Sequence, residues 1–514
     1  MEKVQNNIDK KRIAKNTMLL YIRMFFLLLV GFYTVRLLLE ALGVEDYGLY
    51  NVIFGLVTTF SFFSGAMQTT VQRFLCYELG NSQKENTKRV FAVSMFLFFA
   101  LSLVILIAAE TIGLWFVCNK LSVPAGRMKV AEIVYQVSIF MTIFKVLQIP
   151  YIAAITSHEN MGAYAKISIL DAALHLGSVL ILKFLPDNRL IYFTVFYTVS
   201  NLAVFLCYAA YCWKNYDICR VGLRVDKSYL KSMSAFFSWN LFGAVANISK
   251  QQGLNLLLNV FCGVVLNATW GIATQVSAAV GQFTASFQQA FNPQILKSYS
   301  NGDKSAFHEL LQSCSKYSFL LIWLVSLPIL LQTEFLLKLW LGNTLPDYAV
   351  LFTQMAVLYI VIDALSGPLW VAVQATGNIK RYQIELSILV SVSFISSWVA
   401  LALGASACFV AIVNVVVNML CHLYRLYYLH KKIDFPMAKY YIKVLIPAVL
   451  TGAVGYISGI CTQQYAGKQW YSIIGYLAAV TVFNVIVMVF AGLSGTERKL
   501  LKSYIVKKLS KKTV

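Results

Sequence analysis

Charge is what this 514-residue chain has least of. Asp, Glu, Lys and Arg make up 13% of it, about half the share in soluble globular proteins, which is about 25%. No long hydrophilic stretch occurs, so no sizeable soluble domain is expected. With 9 prolines and 28 glycines, the chain is neither a disordered nor a collagen-like sequence. Its 10 cysteines are scattered through apolar runs, as at Cys118, Cys207, Cys262 and Cys408. None forms a CxxC pair or a Cys/His cluster, so no metal site is expected. There is no Gly-rich phosphate loop ending in Lys-Ser/Thr, which argues against an ATP-driven pump. No Ser/His/Asp set sits on a loop, and neither an enzyme nor a bound cofactor is expected.

What fills the chain is apolar residues, 59% of the total, with a mean hydropathy of +0.68. Apolar runs and their breaks predict an all-α integral membrane protein of about fourteen spans. They lie near 17–42, 48–75, 90–117, 130–156, 165–185, 190–213, 235–261, 266–296, 314–341, 348–375, 383–403, 406–429, 441–461 and 470–492. The first run, Thr17 to Leu42, is too long for a signal-peptide core and reads as a permanent span. The net charge of +21 reflects the positive-inside rule, and no nucleic-acid partner is expected. Lys3, Lys10, Lys11, Arg12 and Lys15 precede the first span, and alternate loops on the same side are basic. The opposite loops hold only Lys120, Arg127, Lys129, Lys183, Arg189 and Lys468. Both termini are therefore expected in the cytoplasm, and the tail from Arg498 to Lys512 is expected to anchor at the inner leaflet.

The chain also repeats. GVEDYGLYN at Gly43 aligns with GVVLNATWG at Gly263, and LGNSQKENTK at Leu79 with YSNGDKSAFH at Tyr299. PYIAAITSHENMGAYAKISIL at Pro150 aligns with PLWVAVQATGNIKRYQIELSIL at Pro368. Each unit holds six spans, an even number, so both enter from the same side. The expected organisation is a lobe over 1–215, a linker over 216–234, a pseudo-symmetric lobe over 235–430, and two added spans with a basic tail over 431–514. Two six-helix lobes are the architecture of an alternating-access transporter.

Phe236 to Tyr299 is the most informative stretch. Asn240, Asn247, Gln251 and Asn255 share one face of the seventh span. Gln275, Gln282 and Gln289 recur every seven residues on the eighth. Side-chain amides are expensive in hydrocarbon and normally face a wet cavity or the bundle interior. Interhelical glue is the alternative reading, at about 0.6 kcal/mol per amide. So many amides on two consecutive helices favour a polar cavity wall. Lys250 lies about 20 Å along its helix from Phe236, at 1.5 Å per residue. Snorkelling is hard from that depth, so a functional cation or a buried ion pair is expected.

SWNLFG, QQGLNLLLN, NATWGIATQV and FQQAFNPQI in this stretch resemble the seventh and eighth spans of bacterial polysaccharide repeat-unit flippases. NTMLLYIRM, LGVEDYGLYNVI, QRFLCYELG, PYIAAITSHENM and LSGPLWVAVQATGNIKRYQ add to the resemblance, which covers roughly residues 13–430. That family belongs to the superfamily of the MATE exporters and lipid II flippases. The resemblance implies flipping of an isoprenoid-pyrophosphate-linked oligosaccharide from the cytoplasmic to the outer leaflet of a bacterial inner membrane, for O-antigen or other surface polysaccharide. Such a cargo needs amides for its glycan and cations for its pyrophosphate. Lys250 is the expected cation, with Arg23 and Arg73 as candidates on the inlet side. Other polysaccharide assembly proteins would be partners.

Four further residues are candidates for a gate or for H+ or Na+ coupling. Lys145 and Asp363 are 218 residues apart, at equivalent repeat positions with opposite charge, and either pair across the lobes or stay within them. Asp171 and His175 share a helix face at i, i+4 and could relay protons. Arg36 and Glu40 have the spacing of a structural ion pair. The competing functions are a MATE-type exporter of cationic compounds, which would favour an acidic cavity, and a membrane glycan polymerase or assembly scaffold, which would need substantial outer loops.

Overall fold

The computed structural model describes residues 10–499 apart from 60–61, 120–122, 124–125, 186–187, 221–224, 343, 468 and 496. Lys3 and most of the basic tail lie outside the described residues. Every regular element among those described is helical. Where backbone N–H and C=O groups lie in hydrocarbon, a helix satisfies them internally, which is why these apolar runs fold this way.

In chain order, α1 is Lys10–Thr59 and α2 is Phe62–Gly80. They are followed by α3, Lys84–Asn119, α4, Met128–Ser157, α5, Met161–Phe184, and α6, Arg189–Asn215. Two long helices come next: α7, Lys227–Cys262, and α8, Val264–Ser300. Then come α9, Lys304–Leu331, α10, Ala349–Ala375, α11, Lys380–Ala402, α12, Cys408–Ile433, α13, Met437–Thr462, and α14, Trp470–Gly492. Eleven helices among the described residues are long and apolar enough to cross a membrane, α1 doing so over Arg12–Gly43. The three expected spans outside that set are the second, seventh and eighth. α7 and α8 are 36 and 37 residues long, so they miss the set for their polar content and not for length.

The repeat is written in the backbone as well. Left-handed φ values recur in five pairs 216–222 residues apart: Gly43 and Gly263, Ser82 and Gly302, Gly126 and Tyr348, Glu159 and Gly377, Asn188 and Gly404. The break in α1 is at Gly43, φ 77°, where the first span ends. Only glycine adopts such a conformation without a Cβ clash.

The chain packs as two units. The first comprises Met1–Ala244, Gln289–Asp303 and Ala375–Lys380. The second comprises Val245–Gln288, Lys304–Gln374 and Arg381–Val514. The stretch 1–215 thus falls wholly in the first unit, whereas 235–430 is shared between the two. The first unit buries Leu37, Ile53, Tyr135, Ile139 and Phe193 in a common core. The second unit has its own core around Leu254, Leu258, Trp270, Phe352 and Val410.

The added α13 and α14 dock inside the second unit. Gly452, Gly455 and Gly459 of α13 face Phe319, Trp323 and Leu331 of α9. A Cβ at Gly459 would lie 2.4 Å from Leu331 Cδ1. Small residues let membrane helices approach where no hydrophobic drive separates them from lipid. Gly459→Leu should therefore push α13 off α9 and lower the detergent-phase melting temperature, while Ser458→Ala, on the neighbouring face, should not. Beyond α14, Glu497 receives Lys316 Nζ at 2.6 Å, the Tyr317 hydroxyl at 2.6 Å and the Ser494 backbone N–H at 2.7 Å. Burial pushes this carboxyl up, but those donors outweigh it and hold it at about 2. A depressed carboxylate stabilises above its unfolded value and loses that contribution as pH falls. The tie should loosen between pH 4.5 and about 2, read as proteolysis of the C-terminal segment, and Glu497→Gln should abolish that acid step.

Candidate functional site

The amide stripes are accessible where interhelical glue would be buried. Asn247 and Gln251 on α7, and Gln275 and Gln282 on α8, are exposed, and Asn255 and Gln289 are half-buried. On α7 the exposed Phe242, Val245 and Leu256 lie on a different side from the amides, at 100° per residue, whereas the exposed Ile248 lies beside them. Asn240 is the exception. It is 5% exposed and lies 3.4 Å from Thr70 Oγ1 inside the first unit.

In the second unit Lys250 is half-buried on α7. Its Nζ donates to Asn414 Oδ1 at 3.0 Å, lies 3.5 Å from the Tyr359 hydroxyl, and sits 5.0 Å from the Tyr359 ring centroid. α12 supplies a line of polar groups beside it. Asn418 donates to the Tyr359 carbonyl at 2.9 Å, His422 pairs with Ser366 at 2.8 Å, and Arg425 donates to Tyr382 at 2.8 Å. Lys250 forms no ion pair among the described residues. Its hydrogen-bond partners are neutral, and the carboxylate of Asp363 acts on it from beyond ion-pair distance.

Asp363 is engaged inside the second unit, 3.9 Å from Arg425. Lys145 is engaged inside the first, donating to the Tyr197 hydroxyl at 3.0 Å with its Nζ 4.9 Å from that ring. Of the two arrangements open at the sequence level, this structure has each charge held within its own unit. Asp171, His175 and Arg23 gather around Lys145. His175 stacks on Tyr197 at 4.1 Å, Arg23 lies over Tyr164 at 4.5 Å, and Asp171 is within electrostatic reach of both cations. Arg36 and Glu40 do not pair. The ion pair of Glu40 is with Lys183, at 3.6 Å, which draws α1 to α5 where the i, i+4 contact would tie α1 only to itself.

Arg73 is not placed as a solvated guide for a head group. It is 8% exposed, stacked against Phe74, Tyr77 and Phe236 at 4.6, 4.9 and 5.6 Å, and donates to the Ala375 carbonyl at 3.2 Å. A Cβ at Gly377 would lie 2.6 Å from its Nη2, so the glycine makes room for the guanidinium. A matching contact involves the other half of the repeat. Glu159, at φ 60°, is 7% exposed. Its carboxylate receives Lys297 at 2.8 Å and Gln294 at 3.2 Å, with Arg12 at 3.6 Å. Asn16 donates to its carbonyl at 3.0 Å. Burial raises the Glu159 carboxyl, but Lys297, Gln294 and Arg12 together hold it below the ordinary range. Burial, then Lys297 and Arg12, lower the neighbouring His158, which stays neutral near pH 7.

Sequence reasoning passed over Asn414, Tyr359, Glu159 and Lys297. For Glu159 a signal existed: the repeat aligns it with Gly377, and a glutamate in a glycine position is conspicuous. Among the described residues no group of three His, Cys, Asp or Glu could hold a metal.

No family profile and no curated protein matches the chain. Solved structures do. A MATE transporter in the bent conformation superposes with a TM-score of 0.70 at 14% identity, covering 84% of this chain and 97% of its own. An outward-facing multidrug resistance MATE transporter of the MOP superfamily gives 0.69 at 13%, covering 82% and 96%. A MOP superfamily transporter from Pyrococcus furiosus, for which a reversed binding-pocket polarity suggested a different function, gives 0.67 at 12%, covering 84% and 99%. The chain thus has the fold of MATE-like membrane transporters.

Proposed function

We propose that this chain, built on a MATE-like transporter fold, is a flippase for a lipid-linked oligosaccharide in a bacterial inner membrane. The observation that carries the reading is Lys250: a half-buried ammonium with neutral hydrogen-bond partners, on a helix whose exposed side bears Asn247 and Gln251. A pyrophosphate would supply a hydrogen-bonded negative charge, and charge-assisted N–H···O contacts are about twice as strong as neutral ones. Amides on α7 and α8 suit the hydroxyl groups of a glycan. The isoprenoid tail stays in lipid. Alternating access carries the head group across, and polysaccharide assembly proteins would take the product.

The test is the leaflet location of lipid-linked repeat units after depletion in the host. Accumulation of complete units on the cytoplasmic leaflet supports flipping. Units that reach the outer face but stay unpolymerised point to a polymerase or scaffold. An unchanged glycan, with raised sensitivity to cationic drugs, points to an exporter, the reading favoured by the fold shared with multidrug transporters.

A further inference from the structure

The first unit holds a second charged cluster, on four helices. Arg23 comes from α1, Lys145 from α4, Tyr164, Asp171 and His175 from α5, and Tyr197 and Tyr208 from α6. Among the described residues Arg23 is anchored by the Tyr164 face, and its Nε is buried without a hydrogen-bond partner. His175 is held by stacking on Tyr197, and its Nε2 is likewise buried and unpartnered. Lys145 rests on the Tyr197 hydroxyl. Asp171 is within electrostatic reach of Lys145 and Arg23, yet no ion pair within 4 Å joins it to either.

Opposite charges at such depth attract by about 3 kcal/mol at 6 Å and an effective dielectric constant of 20. Here they stand apart, each cation seated on a tyrosine, with two buried N–H or ring-nitrogen groups unsatisfied. The unsatisfied nitrogens suit a ligand, and the charge count selects its sign. Two cations and one carboxylate leave an excess of one positive charge. A metal cation or an extra proton would raise that excess, and a monoanion cancels it.

We propose that this cluster binds the carboxylate of an acidic sugar. A guanidinium matches a planar carboxylate with a fork of N–H donors. Lys145 supplies a second positive contact, and the unpartnered His175 Nε2 suits a sugar hydroxyl. Assigning that sugar to the cargo rests on the flippase reading, whereas the binding does not. Asp171 then acts opposite to a proton or sodium relay: it weakens the site's hold on the ligand, so that release remains feasible.

The experiment uses the purified full chain in lipid nanodiscs and calorimetric titration with sodium glucuronate, glucose and sodium acetate. Glucuronate should bind at least about 10-fold more tightly than glucose or acetate. Arg23→Gln and Lys145→Gln should each weaken it by about 10-fold or more, and Arg23→Lys should restore part of the loss. Asp171→Asn should tighten it severalfold. Melting temperature and elution volume check each variant's fold. Asp171→Asn that weakens glucuronate binding, or that abolishes binding of sodium ions by the wild type, overturns the proposal in favour of a cation site. Glucuronate binding no tighter than acetate overturns the sugar assignment. Because no lipid-linked cargo is used, a failed flippase reading leaves this result standing, and a failure here leaves a flippase of neutral glycans intact.

Discussion

Lys250→Ala is expected to leave the lipid-linked glycan on the cytoplasmic leaflet, reproducing depletion of the protein. Two charge-assisted contacts to a pyrophosphate are worth about 3 kcal/mol or more in a half-buried site, or about 100-fold in transport rate. Lys250→Arg keeps the charge but presents a planar fork in place of a compact ammonium, so it should retain part of the activity. Asn414→Ala removes the group that aims the ammonium at 3.0 Å and should cost less, about 5- to 10-fold, the worth of one hydrogen bond. Transport of the glycan by Lys250→Ala at the wild-type rate would sink the assignment. Leaflet-resolved labelling of the glycan reads all three.

Glu159→Gln should lower the melting temperature more than any other single-charge change in the first unit. Its carboxylate takes Lys297, Gln294 and Arg12 together, and it is 7% exposed while Lys297 is 23% exposed. Removing one member of a buried pair costs about 3–5 kcal/mol. The partial exposure of Lys297 and the high exposure of Arg12 discount this to about 1–3 kcal/mol. The backbone gives an independent control. Glu159 pays about 1 kcal/mol for its left-handed conformation, which glycine would avoid. Glu159→Gly should therefore destabilise less than Glu159→Ala, and both should still fall below the wild type. Because the carboxyl is held below its ordinary range, this contribution is whole above the ordinary glutamate value and disappears as pH falls through the lowered one. Stability curves of wild type and Glu159→Gln should converge in acid. Curves that stay parallel would mean the carboxylate's charge does no work there.

The contact also says what the repeat is used for. Loop 157–160 of the first half is gripped by Gln294 and Lys297 at the end of α8, in the second half of the chain. Loop 375–378 of the second half receives Arg73 of α2, in the first half. The same two surfaces meet twice, once through a carboxylate and once through a backbone carbonyl opened by Gly377. All of these residues belong to the first unit, so both contacts hold that unit together.

The all-helical membrane fold and the repeat were legible along the chain, because each depends on local properties. Span length follows from apolar run length, and the punctuating turns follow from residues that accept positive φ, such as Gly43 and Gly263. The amide stripe was legible for the same reason, since helical periodicity alone puts Asn247 and Gln251 on one side. Partner choice was not legible. Lys145 and Asp363 look like a pair in the alignment, but Tyr197 and Arg425 hold them. Glu40 has Arg36 at helical spacing and takes Lys183. Arg73 looks like a loop-side cation and is buried under three aromatic rings. A side chain's charge and its position on a helix are local properties. Which neighbour satisfies that charge depends on helices brought together from 50 to 300 residues away, and only the tertiary structure decides it.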